Sequence, residues 1–113
     1  MALPPLVAEA ARVLLDAYCR NRVPAHAADE VRMSWTVRGA TISLTEQRCH
    51  WKRREEWGDR VVAKFKYAES DGKWELYWGD RNDRFHQYQD LAPVSLKRCL
   101  AEVDSDPLGI FWG

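Results

Sequence analysis

The sequence predicts an α+β domain: an antiparallel β-meander of about five strands, flanked by an N-terminal and a C-terminal helix. Three observations carry the prediction. Between residues 30 and 90, short segments alternate apolar and polar side chains and are separated by glycine and aspartate turns. Both ends of the chain instead carry apolar residues at helical spacing. Short connections in the middle favour strands paired with their sequence neighbours. A length of 113 residues has room for one core and not two. The chain therefore reads as one domain: helix 4–22, sheet 30–90, helix 93–104 and an apolar tail 106–113.

Pro4 or Pro5 can stand in the first turn of the N-terminal helix, where a missing N–H costs little. Leu6, Val7, Ala10, Val13, Leu14, Ala17 and Tyr18 form its apolar stripe. Glu9, Arg12, Asp16 and Arg20 occupy the other face at ion-pair spacing, and Pro24 stops the helix. The first strand runs from Glu30 to Arg38, with Val31, Met33, Trp35 and Val37 inward and Arg32, Ser34, Thr36 and Arg38 outward. Gly39 supplies a turn to the second strand, Thr41 to Arg48, with Ile42 and Leu44 inward. Cys49 to Asp59 is densely charged without a clear period and reads as a loop. Arg60 to Tyr67 is the third strand, with Val61, Ala63, Phe65 and Tyr67 inward and Lys64 and Lys66 outward. Glu69-Ser70-Asp71-Gly72 is a turn.

The stretch Lys73 to Asp90 is the centre of the sheet. Trp74, Leu76 and Trp78 alternate with Glu75 and Tyr77, then comes the polar turn G-D-R-N-D, and Arg84 to Tyr88 returns as the antiparallel partner. With Phe85 inward, Arg84, His86 and Tyr88 point outward with Tyr77. In the second helix Leu96, Cys99, Leu100 and Val103 form one stripe, and Asp106-Pro107 ends it. The tail Leu108 to Gly113 is apolar, and Phe111 and Trp112 are expected to be buried in their own chain or in a homodimer.

Composition narrows the classes of function. The net formal charge is zero, which argues against a surface that attracts nucleic acid as a whole but leaves room for a local patch. Cys19, Cys49 and Cys99 are an odd number without a C-x-x-C pair, so a reduced, cytoplasmic setting fits better than a disulfide framework. The N-terminus lacks a basic region and cleavage site of the secretory kind. No apolar run approaches the roughly 18 residues that span a bilayer, so no membrane partner is expected.

Trp74, Leu76, Tyr77, Trp78, Asp80, Arg81, Arg84, His86 and Tyr88, followed by Asp106, Pro107, Gly109, Ile110, Phe111 and Trp112, form two motifs. Together they resemble a family of small bacterial proteins known as domain of unknown function three-zero-two-four. Phe85 stands where that pattern has Trp. The resemblance implies a bacterial, cytoplasmic protein and no particular activity.

Five constellations can carry function. The outward sheet face combines Tyr77, Arg84, His86 and Tyr88 with Lys64, Lys66, Arg32 and Arg38. Cations among flat rings suit stacking of unpaired bases with phosphate neutralisation, although an ordinary solvated face has the same pattern. Arg48, His50, Trp51, Lys52, Arg53 and Arg54 form a basic cluster, blunted by Glu55 and Glu56. Asp80, Arg81, Arg84, His86 and Asp90 contain the groups of an acid–base site at no spacing with a known mechanism. Cys49, His50, His86 and Cys99 lack zinc-ligand spacing, and no metal or cofactor is expected. The tail is the fifth. The reading is a non-catalytic binding module whose leading ligand is single-stranded RNA or DNA, through Tyr77, Arg84, His86, Tyr88, Lys64 and Lys66. The alternatives are a protein-interaction module and a phosphate-ester-acting enzyme using His86.

Overall fold

The computed structural model describes residues 2–112. The expectations for Met1 and for Gly113 lie outside the described residues. The order is α1 (Pro5–Arg22), a single 3-10 turn (Ala25–Ala27), β1 (Val31–Arg38), β2 (Thr41–Cys49), β3 (Trp57–Ala68), β4 (Lys73–Gly79), β5 (Phe85–Gln87) and α2 (Leu96–Ser105). The strands form one sheet in the order β1-β2-β3-β4-β5, every pair antiparallel. This is the α+β meander that the alternation predicts. α1 packs on β1 and α2 on β3 and β4, both on one side of the sheet. That side is the inner face.

Cross-strand partners share a face, so the register sorts the residues. Phe65 pairs with both Ile42 and Leu76, and Ala63 with both Leu44 and Trp78. These lie inside with Trp74, and Ile42, Leu44, Ala63, Phe65, Trp74 and Leu76 are buried. Trp35 and Trp78 pack against the same core from partly buried positions. From α2 come Leu96, Cys99, Leu100 and Val103, all buried, which is the stripe expected from their spacing.

Several local expectations are corrected. The buried residues of α1 are Ala11 and Leu15, with Val7, Leu14 and Tyr18 beside them. Leu6 is 87% exposed and Val13 54%. Leu6, Ala10, Val13 and Ala17 share the helical period with the adjacent line of residues, and periodicity alone does not choose between neighbouring lines. The supposed loop Cys49–Asp59 ends earlier, because Trp57, Gly58 and Asp59 pair with Cys49, Arg48 and Gln47. A register shift between Leu44 and Thr45 inserts Val62 as an extra residue in β3. Val62 is buried and Val61 pairs with Thr45 on the outer face, so a bulge reverses the expected inward position of Val61. Finally, α2 begins at Leu96 and not Pro93. Val94 forms a bridge to Trp74, and Ser95 caps the helix by accepting from the Arg98 amide at 3.2 Å.

Candidate functional site

The hairpin β4–β5 decides which surfaces are available. Tyr77 pairs with Gln87, Trp78 with His86 and Gly79 with Phe85. Phe85 is therefore an outer-face residue and His86 an inner-face one, the reverse of the sequence expectation. Gly79 explains the reversal. A Cβ there would stand 3.0 Å from two ring carbons of Phe85, so the ring lies against the side-chain-free position that pairs with it. A glycine closing an aromatic strand was the available signal, because such glycines are commonly covered by a cross-strand aromatic.

Tyr88 follows with the inner set and is 2% exposed, so its expected place on an open surface is wrong. Its hydroxyl donates to Glu102 Oε2 at 2.7 Å, and its ring meets Phe111 at a centroid distance of 5.4 Å. Burial, then the Glu102 carboxylate, push its phenol up to about 12. Glu102 is itself nearly buried and receives Arg98 at 3.0 Å. Tyr88 holds α2 and the tail to the sheet.

The His86 ring lies tilted against that of Trp78 at a centroid distance of 4.9 Å, and its Nε2 lies 2.8 Å from Asp80 Oδ2. The other oxygen of Asp80 accepts the amides of Asn82 and Arg84 at 2.8 and 3.1 Å. The His86 contact, then the two amides, hold the Asp80 carboxyl down at about 2. Asp83 takes the left-handed conformation that closes the turn. Asp80 pairs with His86 and not with its neighbour Arg81. Both carboxylate oxygens are thus engaged in shaping the turn. Arg81 and Arg84 stand exposed at its tip, with no ion pair among the described residues.

The tail motif has a similar explanation. Asp106 sits in the left-handed conformation at the end of α2. Its carboxylate accepts the amides of Ile110, Phe111 and Trp112 at 2.9, 3.1 and 3.0 Å. Burial raises its pKa, but the three amides and nearby Arg60 outweigh that and leave the carboxyl below its usual range. Trp112 Nε1 donates to the Val103 carbonyl at 2.9 Å, and Arg60 donates to the Phe111 carbonyl. Phe111 is fully buried and Trp112 partly so, both within their own chain.

The outer face differs in every respect. Register places Arg32, Arg38, Lys64, Lys66 and Lys73 on it, with Asp59 and Glu75 as the carboxylates of the paired strand residues there. Asp59 accepts from Gln47 and Glu75 from Gln87. None of the five cations forms an ion pair among the described residues. Ser34, Thr36, Thr41, Ser43 and Thr45 fill the positions between them. Three partly exposed rings complete the face: Tyr77, Phe85 and Trp57. The Lys64 ammonium lies 4.4 Å from the Phe85 ring centre, and the Arg32 guanidinium 3.9 Å from that of Trp57. No helix covers this face among the described residues. Since the whole chain is neutral, the excess of cations over carboxylates among the strand residues of this face is balanced by an excess of negative charge elsewhere.

Of the six residues expected to bind nucleic acid, Tyr77, Lys64 and Lys66 share this face, Arg84 stands at its hairpin end, and His86 and Tyr88 lie on the opposite side. Sequence reasoning passed over Phe85, because it was turned inward, and Trp57, because its segment read as a loop. The second basic cluster is neutralised in place: Arg48 pairs with Glu46, Arg53 with Glu56 and Arg54 with Glu30. Trp51 remains 76% exposed beside Lys52. Cys49, His50, His86 and Cys99 do not converge; among the described residues no three His, Cys, Asp or Glu side chains could hold a metal ion together. No described helix is long and apolar enough to cross a membrane.

Fold and surface together define a five-stranded α+β meander with a helix-free, basic outer face. The chain belongs to the family described as a domain of unknown function (DUF3024), whose pattern matches residues 3–113. Neither the curated proteins nor the solved structures provide a significant match to it.

Proposed function

We propose that the protein is a non-catalytic binding module that holds single-stranded nucleic acid on its outer sheet face. The observation that carries this reading is the segregation of Arg32, Arg38, Lys64, Lys66 and Lys73 onto the face that also bears Trp57, Tyr77 and Phe85. Cations neutralise phosphates and release counterions, while half-exposed rings and the guanidinium stacked on Trp57 offer flat surfaces to unpaired bases. The serine and threonine hydroxyls between them are donors suited to phosphate oxygens. A duplex would present its bases only at groove edges and could not use the rings.

The test is fluorescence anisotropy with labelled, mixed-sequence single-stranded RNA and DNA at low ionic strength. Binding should be salt-sensitive, and Lys64→Ala and Lys66→Ala should each reduce the salt slope by about 1. Absence of binding at low salt would falsify the reading.

A further inference from the structure

The two edges of the sheet are treated differently. β5 is three residues long, and beyond it Val94 exchanges both backbone hydrogen bonds with Trp74, so the β4 side is closed. β1 is an edge of eight residues, VRMSWTVR, without proline, lysine or a bulge, its charged side chains being Arg32 and Arg38 near the two ends. Proline, lysine and bulges are devices that usually prevent edge pairing.

The pairing pattern shows which groups β1 leaves free. The Cys49 amide donates to the Glu30 carbonyl at 3.0 Å, and Glu30 stands one step before the pair Val31–Arg48. Bonded and non-bonded pairs alternate in an antiparallel ladder. Arg32, Ser34, Thr36 and Arg38 therefore bond β2, while the N–H and C=O groups of Val31, Met33, Trp35 and Val37 point away from the sheet. No backbone group of another described element meets them. Their side chains line the inner side of the edge, and Val37 is 50% exposed.

We propose that β1 pairs antiparallel with β1 of a second copy of this chain, about a two-fold axis at Ser34. Only residues of like parity can pair there, because the free groups belong to the odd positions and both inner faces must match. An axis at Ser34 sets Val31 opposite the partner copy's Val37, Met33 opposite Trp35, Arg32 opposite Thr36, and Glu30 opposite Arg38. Every apolar residue meets an apolar one, and each charged end meets its opposite. An axis at Trp35 instead sets Arg32 opposite Arg38 on both sides, like charges directly facing each other. An axis at Met33 leaves Val37 without an apolar partner from β1. Arg38 has no ion pair among the described residues, and the present partner of Glu30 is the exposed Arg54 at 3.2 Å. The axis stands perpendicular to the sheet, so the two outer faces join side by side into one surface.

Sedimentation velocity tests the proposal on the full chain. The wild type should be dimeric at about 100 µM and dissociate on dilution. Glu30→Arg and Arg38→Glu should each weaken the dimer about tenfold, since each turns two symmetry-related attractions into repulsions. The double variant Glu30→Arg/Arg38→Glu should restore it while circular dichroism stays that of the wild type. A chain that remains monomeric at about 100 µM overturns the proposal, as does a dimer that neither single variant weakens or that the double variant does not restore. Because the assay contains no nucleic acid, its outcome is independent of the outer-face reading.

Discussion

The two faces of one five-stranded sheet are built by opposite rules. On the inner face almost every polar group is spoken for: Tyr88 by Glu102, Asp106 by three amides, Trp112 by the Val103 carbonyl. On the outer face cations stand without ion pairs between hydroxyls and half-exposed rings. Most residues of the two sequence motifs belong to the first set. A dense aromatic and charged motif can therefore be largely a recipe for a frame, while the surface left for a ligand takes only Tyr77 and, at its hairpin end, Arg84 from the motifs and draws its other residues from outside them.

The largest expected effect is on the inner side. Phe111→Ala removes a fully buried ring from the contact with Tyr88 and should cost about 3–5 kcal/mol, a large share of a small domain's stability. Removing Leu108 to Gly113 should lower the melting temperature at least as clearly. An unchanged melting temperature would mean that the tail does not belong to the core.

Asp106→Ala should come next, because it strands three amides at once. A loss of about 2 kcal/mol in urea unfolding is expected. Tyr88→Phe should cost about 1–2 kcal/mol, leaving Glu102 short of a donor in a nearly buried place. Because the Tyr88 phenol is raised to about 12, its contribution is complete below the ordinary tyrosine pKa of about 10 and is lost as pH rises through about 12. A Tyr88→Phe protein as stable as the wild type would return Tyr88 to the surface and reopen the register.

The hairpin lock should show itself in acid. Asp80 is held down at about 2, so its contribution is present above the ordinary aspartate pKa of about 3.9 and disappears as pH falls toward about 2. Asp80→Asn should flatten that part of the stability profile; an unchanged acid limb would show that the contact with His86 does not couple to folding.

The smallest effect on stability belongs to the outer face. Lys64→Ala, Lys66→Ala and Tyr77→Ala should each stay within about 0.5 kcal/mol of the wild type while weakening oligonucleotide binding. A clear loss of stability in these variants would make the face a structural one.

How much of this was legible in the sequence varies with the physics of each part. The meander, the stripe of α2 and the inward Trp74, Leu76 and Trp78 follow from alternation and helical period, which record burial directly. The faces of β5 do not, because three residues carry too little pattern and the five-residue turn decides which of them meets Gly79. The bulge at Val62 was hidden for a related reason: Val61 and Val62 are chemically alike, and only the partner strand tells which is buried. Trp57 was passed over because charges surround it and the next large apolar residue of its strand, Val61, is four positions away. The make-up of the outer face was therefore half readable: Lys64, Lys66 and Tyr77 lie on it as expected, while Phe85, Trp57 and Tyr88 are placed otherwise than expected.

The most direct test of a frame on one face and a binding surface on the other is an amide and side-chain NMR titration with a short single-stranded oligonucleotide at low salt. The shifts should concentrate on Arg32, Lys64, Lys66, Tyr77 and Phe85, with Tyr88, Phe111 and the Asp106 amides undisturbed. Shifts gathered around Trp78, His86 and the tail, or none at all, would contradict the account.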